Sequence, residues 1–398
     1  MYPPHHLGGY ELVWQSAVAD LRESGHEVRV LTSDLRLSGR RGREDPDVHR
    51  DLRWYWSDHS WPRLSVRRRF QLERHNANVF DRHLRELRPD VVAWWAMGGM
   101  SLSLITRAGR AGLPAVAFVH DDWLIYGPHV DAWLRLLGRP GLRRPELRRL
   151  VSRVTSLPTG LETGAVGRWA FVSEHTRQRA LTARHPPSSV STLVLPSGID
   201  ASFLKLPMSR PDWGWRLLYV GRIDARKGID TAVAALARLP VPAMLTVVGD
   251  GDERARRALQ AQAAELGLDG RVKLVGARPR HELPVLYAAA DVLVFPARWE
   301  EPWGLVPLEA MALGCPVVTT ARGGTGEYLR PGDNCLTIPV DDPDALAAAV
   351  TRLSLDFPLR ARLREAGLGL AARHVDTEFN QRAQDLLLAM IGASDAVA

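Results

Sequence analysis

The sequence predicts an α/β protein of two doubly wound, parallel-sheet domains facing each other across a cleft. Three observations predict it. Short β-branched runs alternate with helical patterns along most of the 398 residues, the signature of βαβ units. A Pro-, Gly- and Ser-rich stretch, "LPSGIDASFLKLPMSRPDWGW", interrupts that alternation near mid-chain, as a linker does. The length exceeds what one core fills, so residues 1–198, 199–372 and a closing helical segment 373–398 are read as the parts.

In the first half, strands are expected at 27–34 ("EVRVLTSD"), 90–97 ("DVVAWWAM"), 115–122 ("AVAFVHDD") and 168–175 ("RWAFVSEH"), with helices between several of them, including "RRRFQLERHNANVFDRHLREL". In the second half they are expected at 216–224, 243–251, 271–279, 290–297, 315–322 and 334–340, and "TEFNQRAQDLLLAMI" reads as a final helix. "LGGYELVWQSAVADLRESG" reads as a Gly turn opening a helix that ends at Gly25. A Gly turn of this kind normally leaves a strand in mid-sheet, and the seven residues before it do not make one. The expectation is that Met1 is an internal methionine and that a strand lies upstream; a sheet starting one strand late is the other reading.

Two stretches stand outside the pattern. Residues 35–66 read as a long polar loop studded with tryptophans. Residues 123–160 read as an insertion containing the basic amphipathic helix 145–154, where Leu147, Leu150, Val151 and Val154 form a stripe and Arg148, Arg149 and Arg153 lie off it. Packing on its own domain and contact with an anionic membrane or a lipid-linked acceptor are both open for that helix.

Composition excludes several classes. The 52 basic residues exceed the 45 acidic ones too modestly to imply nucleic-acid binding. Cys315 and Cys335 are the only cysteines, so no disulfide framework is implied. No apolar run reaches the roughly 18 residues of a spanning helix, and "MYPPHHLGGYELVW" lacks a basic leader and a long apolar core, so a cytoplasmic location is expected, peripheral at the inner membrane face if the basic helix meets it. Only Lys205, Lys227 and Lys273 are lysines, so a lysine here suggests a need for a compact ammonium.

The chemistry gathers after the second-half strands. "WEEPWGLVPLEAMALGCPVV" places Glu300 and Glu301 in a loop at a strand's carboxyl end and opens a short helix near Gly304, whose free N–H groups can receive an anion. Glu309 lies a turn inside that helix among apolar residues, where burial costs several kcal/mol without a partner. A polyhydroxylated ligand or an arginine elsewhere in the chain could supply one. In "YVGRIDARKGID", Arg222 and Lys227 follow a strand with glycines on either side, an arrangement suited to a diphosphate or to a solvated charge cluster. Gly8 and Gly9 open a helix, and His120 ends a strand beside Asp121 and Asp122. Asp250-Gly251-Asp252 has the form of an Asp-x-Asp metal motif, but in a βα loop such acids more often cap the next helix, so no metal site is expected.

Taken in order and spacing, "GRIDARKG", "VVGDGDE", "LYAAADVLVFPA", the Glu-x7-Glu of "EPWGLVPLEAMALGCPVVTT" and "GGTGEYL" resemble glycosyltransferase family 4 over nearly the whole chain. The resemblance implies GT-B architecture, with two Rossmann-like domains, the first for the acceptor and the second for the donor. It implies a retaining transferase that moves a sugar from a nucleoside-diphosphate sugar to a hydroxyl of a glycan, glycolipid or small natural product, without a metal and with the sugar nucleotide as co-substrate rather than a cofactor. It further implies that Glu301 contacts donor-sugar hydroxyls with help from the backbone of Trp303, Gly304 and Leu305, and that Glu309 accepts hydrogen bonds from the ribose. Arg222 and Lys227 would hold the diphosphate, His120 would lie beside the sugar, Gly8 and Gly9 near the phosphates, and Ala277 and Arg278 against the base. Trp14, Trp54, Trp56, Trp94, Trp95 and Trp123 could stack on an acceptor, although most are expected to be packed. A sugar-nucleotide epimerase, a glycan phosphorylase and a catalytically silent nucleotide-sugar-binding protein are the rival readings. A dinucleotide-dependent oxidoreductase is disfavoured, because no G-x-G-x-x-G follows a strand.

Overall fold

A computed structural model describes residues 1–6, 8–37, 45–56, 61–139, 144–206 and 212–395. The chain divides into one unit of Met1–Pro196 with Glu378–Ala398 and a second of Ser197–Thr377.

In the first unit the strands are β1 (Val30–Ser33), β2 (Val48–Leu52), β3 (Val92–Trp95), β4 (Ala115–Val119), β5 (Arg168–Phe171) and β6 (Thr192–Val194). The helices are α1 (Tyr10–Glu23), α2 (Val66–Leu87), α3 (Ser103–Arg110), α4 (Trp123–Val130), α5 (Ala132–Leu137), α6 (Pro145–Thr155) and α7 (Glu174–Leu181). Strands β3 to β6 form a parallel sheet in that order, with Val92 opposite Ala115 and Val116 opposite Arg168. β1 and β2 form a separate parallel pair. Every residue of β4 is buried, as expected of a strand covered on both faces. Gly25, where the sequence reading ends this helix, follows α1 at φ +88°.

One expectation changes. The segment 35–66 is not all loop, since β2 lies inside it and pairs with β1; its alternation was masked by Asp and Arg on a half-buried edge. Parts of it, 38–44 and 57–60, lie outside the described residues, as do 140–143 of the other insertion and 207–211 of the linker. On α6 the predicted stripe is covered along one side only: Leu147 and Val151 are half-buried while Leu150 and Val154 are exposed. Of the six tryptophans named above, Trp14, Trp94, Trp95 and Trp123 are buried, and Trp54 and Trp56 are half-buried.

In the second unit the strands are β7 (Arg216–Val220), β8 (Met244–Val248), β9 (Val272–Gly276), β10 (Val292–Phe295), β11 (Val317–Thr319) and β12 (Leu336–Thr337). They form one parallel sheet in the order β12-β11-β10-β7-β8-β9. The switch of direction at β7 and β10 is where a doubly wound sheet opens to a ligand. Helices α8 (Ile229–Leu236), α9 (Glu253–Glu265), α10 (Leu283–Ala289), α11 (Leu305–Ala312), α12 (Pro343–Leu355) and α13 (Phe357–Ala371) belong to this unit. Leu245, Val247, Val292, Val294, Val317 and Val318 are fully enclosed, each burial being worth about 1.5–3 kcal/mol. The last helix, α14 (Asp376–Asp395), lies almost wholly in the first unit, where Phe379 packs on Trp95, Phe118 and His120 and Asn380 donates to Ser16.

Candidate active site

The second unit brings together two loops at its switch point. β7 runs out at Val220 into a turn that carries Arg222, Asp224, Arg226 and Lys227, and β10 runs out at Phe295 into "PARWEEPWG". Arg298 ties the two loops by donating from its backbone to Arg226 O at 2.8 Å and from its side chain to Ala225 O at 2.6 Å. Gly228 ends the first loop at φ +67°, and a Cβ there would fall 2.0 Å from Pro296 O, so only glycine lets the loops approach this closely.

Lys227 Nζ donates to Glu301 Oε1 in an ion pair with a buried acid, and the ammonium lies 5.0 Å from the centroid of the Trp299 ring. Glu301 is held from behind: its N–H donates to Arg322 O at 3.2 Å and its carbonyl accepts from Gly324 N at 2.7 Å. Gly323, at φ +69°, passes so near that a Cβ would sit 2.5 Å from Glu301 O. Glu300 is exposed and faces Arg322 at 3.8 Å. Arg222 lies 3.6 Å from Asp224, whose carboxyl is held well below the usual carboxylate range, chiefly by its hydrogen bonds from Arg226.

Glu309 lies on α11, 6% exposed. Its partners are in the protein: Tyr287 Oη donates to it at 2.9 Å and Arg280 approaches to 3.5 Å. Of the two partners the sequence left open for it, the arginine is present in the chain and is joined by a tyrosine. Burial pushes the Tyr328 phenol well up, with Glu301, Cys335 and Glu309 adding to it. Tyr328 Oη donates to Gly304 O, and Trp303, buried at 5%, donates to Ser197 O at 2.9 Å, which fixes the entry to α11. Gly304 caps that helix and Leu305 begins it. The N–H groups of its first turn have no intrahelical acceptor and offer a site for negative charge.

Ala277 and Arg278 follow β9, both exposed; Ala277 N donates to Asp250 Oδ1 at 3.2 Å and Arg278 faces Glu282 at 3.8 Å. Asp252 accepts from Ala255 N at 2.7 Å and caps α9, so the Asp-x-Asp acids serve backbone groups. Among the described residues one His/Asp/His group, His49, Asp51 and His83, has ligand-type atoms within 4.8 Å of one another. Arg82 bonds Asp51 at 2.6 Å and Arg29 lies 3.4 Å from His83, so two guanidinium charges already occupy its surroundings.

In the first unit, His120 follows β4 and is stacked on Tyr10, with ring centroids 4.5 Å apart. Burial pushes its pKa down to about 3, so the imidazole is neutral at ordinary pH. Asp121 is pushed up to about 6 by burial, while accepting from Tyr126 Oη at 2.8 Å. Gly8 and Gly9 precede α1 and are exposed, and Gly8 N donates to Glu11 Oε2 at 3.2 Å. A phosphate at that turn would compete with the Glu11 carboxylate. Sequence reasoning missed Arg280, Tyr287, Trp299, Tyr10 and Glu11. Arg280 and Tyr287 reach Glu309 from α10 and the turn before it, and no local spacing marks them.

Residues 7–203 match the family model described as Glycosyltransferase Family 4, and residues 209–369 match that described as Glycosyl transferases group 1. A glycogen synthase from Mycobacterium tuberculosis is 30% identical over 391 residues, covering 91% of this chain and 86% of its own. Among solved structures, sucrose-phosphate synthase from Thermosynechococcus elongatus is 22% identical, covers 97% of this chain and 94% of its own, and has a TM-score of 0.68. Anabaena HepE, crystallised with UDP and glucose, is 21% identical over 80% of this chain and 82% of its own, at a TM-score of 0.62. Two parallel α/β units, acids and cations on the strand-end loops of the second, and relatives that span both units lead to one assignment: the chain belongs to glycosyltransferase family 4 and is a GT-B glycosyltransferase.

Proposed function

We propose that this glycosyltransferase retains anomeric configuration and moves a sugar from a nucleoside-diphosphate sugar to an acceptor hydroxyl without a divalent cation. The Lys227–Glu301 pair carries the reading. A buried carboxylate and an ammonium at a strand-end switch point suit a ligand with sugar hydroxyls on one side and a diphosphate on the other. The ammonium and Arg222 would hold the diphosphate and stabilise the leaving nucleoside diphosphate. Glu301 would accept from donor-sugar hydroxyls, and Glu309 would turn its carboxylate, steadied by Tyr287 and Arg280, to the ribose. The acceptor oxygen forms its bond to the anomeric carbon as the bond to the donor phosphate oxygen breaks, and that phosphate oxygen takes the acceptor's proton. HepE is a neighbour crystallised with UDP-glucose, which supports a sugar-nucleotide donor.

Calorimetric titration with uridine, guanosine and adenosine diphosphates, metal-free and then with manganese, tests it. One diphosphate is expected to bind without metal. Glu309→Ala is expected to weaken a free nucleoside about tenfold or more, and Lys227→Ala to spare the nucleoside and weaken the diphosphate. No binding of any diphosphate, or a strict need for manganese, would overturn the reading.

Helix α6 supports a peripheral contact with an anionic membrane. Leu150 and Val154 are 54% and 75% exposed, with Arg149 and Arg153 exposed beside them. Among the described residues no helix is long and apolar enough to cross a membrane. Sedimentation is expected with phosphatidylglycerol vesicles and not with phosphatidylcholine ones, and Arg149→Glu with Arg153→Glu is expected to lower partitioning about tenfold or more. Equal partitioning of variant and parent would remove the proposal.

A further inference from the structure

Arginine carries its charge on a planar fork of N–H donors and has no acceptor, so its role follows from where those donors are spent. Arg298 stands in the loop after β10, just ahead of Glu301. Its Nε donates to Asp341 Oδ1. Nη1 donates to Ala225 O at 2.6 Å and to Asp230 Oδ1 at 2.7 Å, and Nη2 donates to Asp230 Oδ2 at 2.5 Å and to Thr231 Oγ1 at 3.4 Å. All five N–H groups are therefore used within the protein, and none is left for a ligand.

The acceptors come from three separate segments. Ala225 belongs to the turn that carries Lys227, Asp230 and Thr231 lie in the first turn of α8, and Asp341 follows β12 ahead of α12. Asp341 keeps φ at +58°, in the left-handed region that favours glycine, and from there accepts from Arg298 and, at 3.4 Å, from the Thr231 hydroxyl. A non-glycine residue stays in that region where the surrounding bonds outweigh the preference of its backbone.

The backbone of the same loop repeats the clamp. Arg298 N and Trp299 N both donate to Arg226 O, at 2.8 and 3.3 Å, so the carbonyl just before Lys227 is held twice. Both cations of the turn lie over the Trp299 ring, the Arg226 guanidinium carbon at 5.1 Å and Lys227 Nζ at 5.0 Å from its centroid. Contacts thus run from Asp230 and Asp341 through Arg298 to the turn, and end at the Lys227–Glu301 pair. A shift of about 1 Å in a group that binds or reacts can cost on the order of a hundredfold. Lysine at 298 would keep the charge as a point with three donors, which cannot hold three segments at once as a fork of five does.

We propose that Arg298 is a positioning residue for the donor's diphosphate: its bonds to Asp230, Asp341 and the turn at 225–226 set where Lys227 stands, and it touches no ligand itself. The proposal rests on the reading of Lys227 as a diphosphate cation. To test it, Arg298→Lys and Asp341→Asn would each be compared with the parent. Arg298→Lys would also be placed in a Lys227→Ala/Glu301→Gln background, which lacks the buried pair and leaves neither charge alone. Amide exchange would be measured on the ligand-free chains, and Kd by calorimetry for uridine, guanosine and adenosine diphosphates and their nucleosides. Arg298→Lys is expected to speed exchange about tenfold or more at Lys227 and Gly228, whose N–H groups close the turn. It is expected to raise the Kd of the diphosphate that the parent binds about tenfold or more, and to leave that of the nucleoside within about twofold. Asp341→Asn, which keeps an acceptor for the fork without its charge, is expected to act in the same direction and more weakly. In the Lys227→Ala/Glu301→Gln background the effect of Arg298→Lys on diphosphate binding is expected to disappear, because a residue acting through Lys227 has nothing left to position. Unchanged exchange at Lys227 and Gly228, equal losses for nucleoside and diphosphate, or a loss of full size in that background would overturn the proposal. If the background itself binds diphosphate as the parent does, the diphosphate reading falls and this proposal with it. If the background loses affinity while Arg298→Lys alone binds as the parent does, only this proposal falls.

Discussion

Lys227→Ala is expected to cost both stability and turnover, and Glu301→Gln in the same protein is expected to restore the first without the second. Lys227 and Glu301 face each other with side chains 19% and 6% exposed. Removing one member of a buried pair leaves a charge without water or partner, a loss of about 3–5 kcal/mol. Removing both charges eliminates that penalty, so the double variant is expected to unfold closer to the parent than Lys227→Ala does. Turnover follows different physics. A cation aimed at the departing diphosphate is worth a factor of about 10² to 10³ in kcat, and the double variant still lacks it. Thermal unfolding and nucleotide release from the donor would be measured on the four proteins of the cycle. Strictly additive stabilities would show that the two groups do not interact, and full turnover in the double variant would remove Lys227 from the reaction.

Glu73 is expected to make stability fall as pH rises from about 5 to 8, opposed below about 6.5 by His120, and Glu73→Gln is expected to remove that contribution. Glu73 is 1% exposed on α2 and accepts from the Ser103 hydroxyl. Burial, reinforced by Asp131, pushes its pKa from 4.5 up to about 8. Asp131, pushed up to about 6 mainly by burial, accepts from Leu102, Trp133 and Leu134 N–H groups. With its folded pKa above the unfolded one, Glu73 keeps its proton in the folded chain across that window. Stability contributed by the protonated acid is complete below the unfolded value and is lost as pH climbs through the folded one, at about 1.4 kcal/mol per pH unit while the folded acid stays protonated. Asp131 keeps a smaller slope at the lower end. Urea unfolding at half-unit steps would measure this, and identical slopes for Glu73→Gln and parent would refute it.

Much of this protein could be read before any coordinates. Ten strand positions in "EVRVLTSD" through "NCLTIPV" announce themselves by β-branched runs, because strands covered on both faces need apolar residues throughout. β2 and β6 do not, being half-buried edge strands whose side chains are free to be polar. The acids and cations of the second unit stand out for the opposite reason, since Glu309 in "LVPLEAMALG" and Lys227 in an arginine-rich chain are locally out of place.

What the sequence by itself determined was the class of each segment and the residues that do not belong there for packing alone. Local pattern follows from burial, and burial is written at periods of two and 3.6 residues. Only the tertiary structure decided partners. It joined Lys227 to Glu301, gave Glu309 the hydroxyl of Tyr287 and the guanidinium of Arg280, and set Glu11 at the Gly8 turn. It also divided the first unit's strands into two sheets with a groove between them. The physical reason is range: a carboxylate's neighbours are chosen by which loops a parallel sheet brings to one edge, and that order is set by crossovers of tens of residues, far beyond any spacing a local pattern can carry.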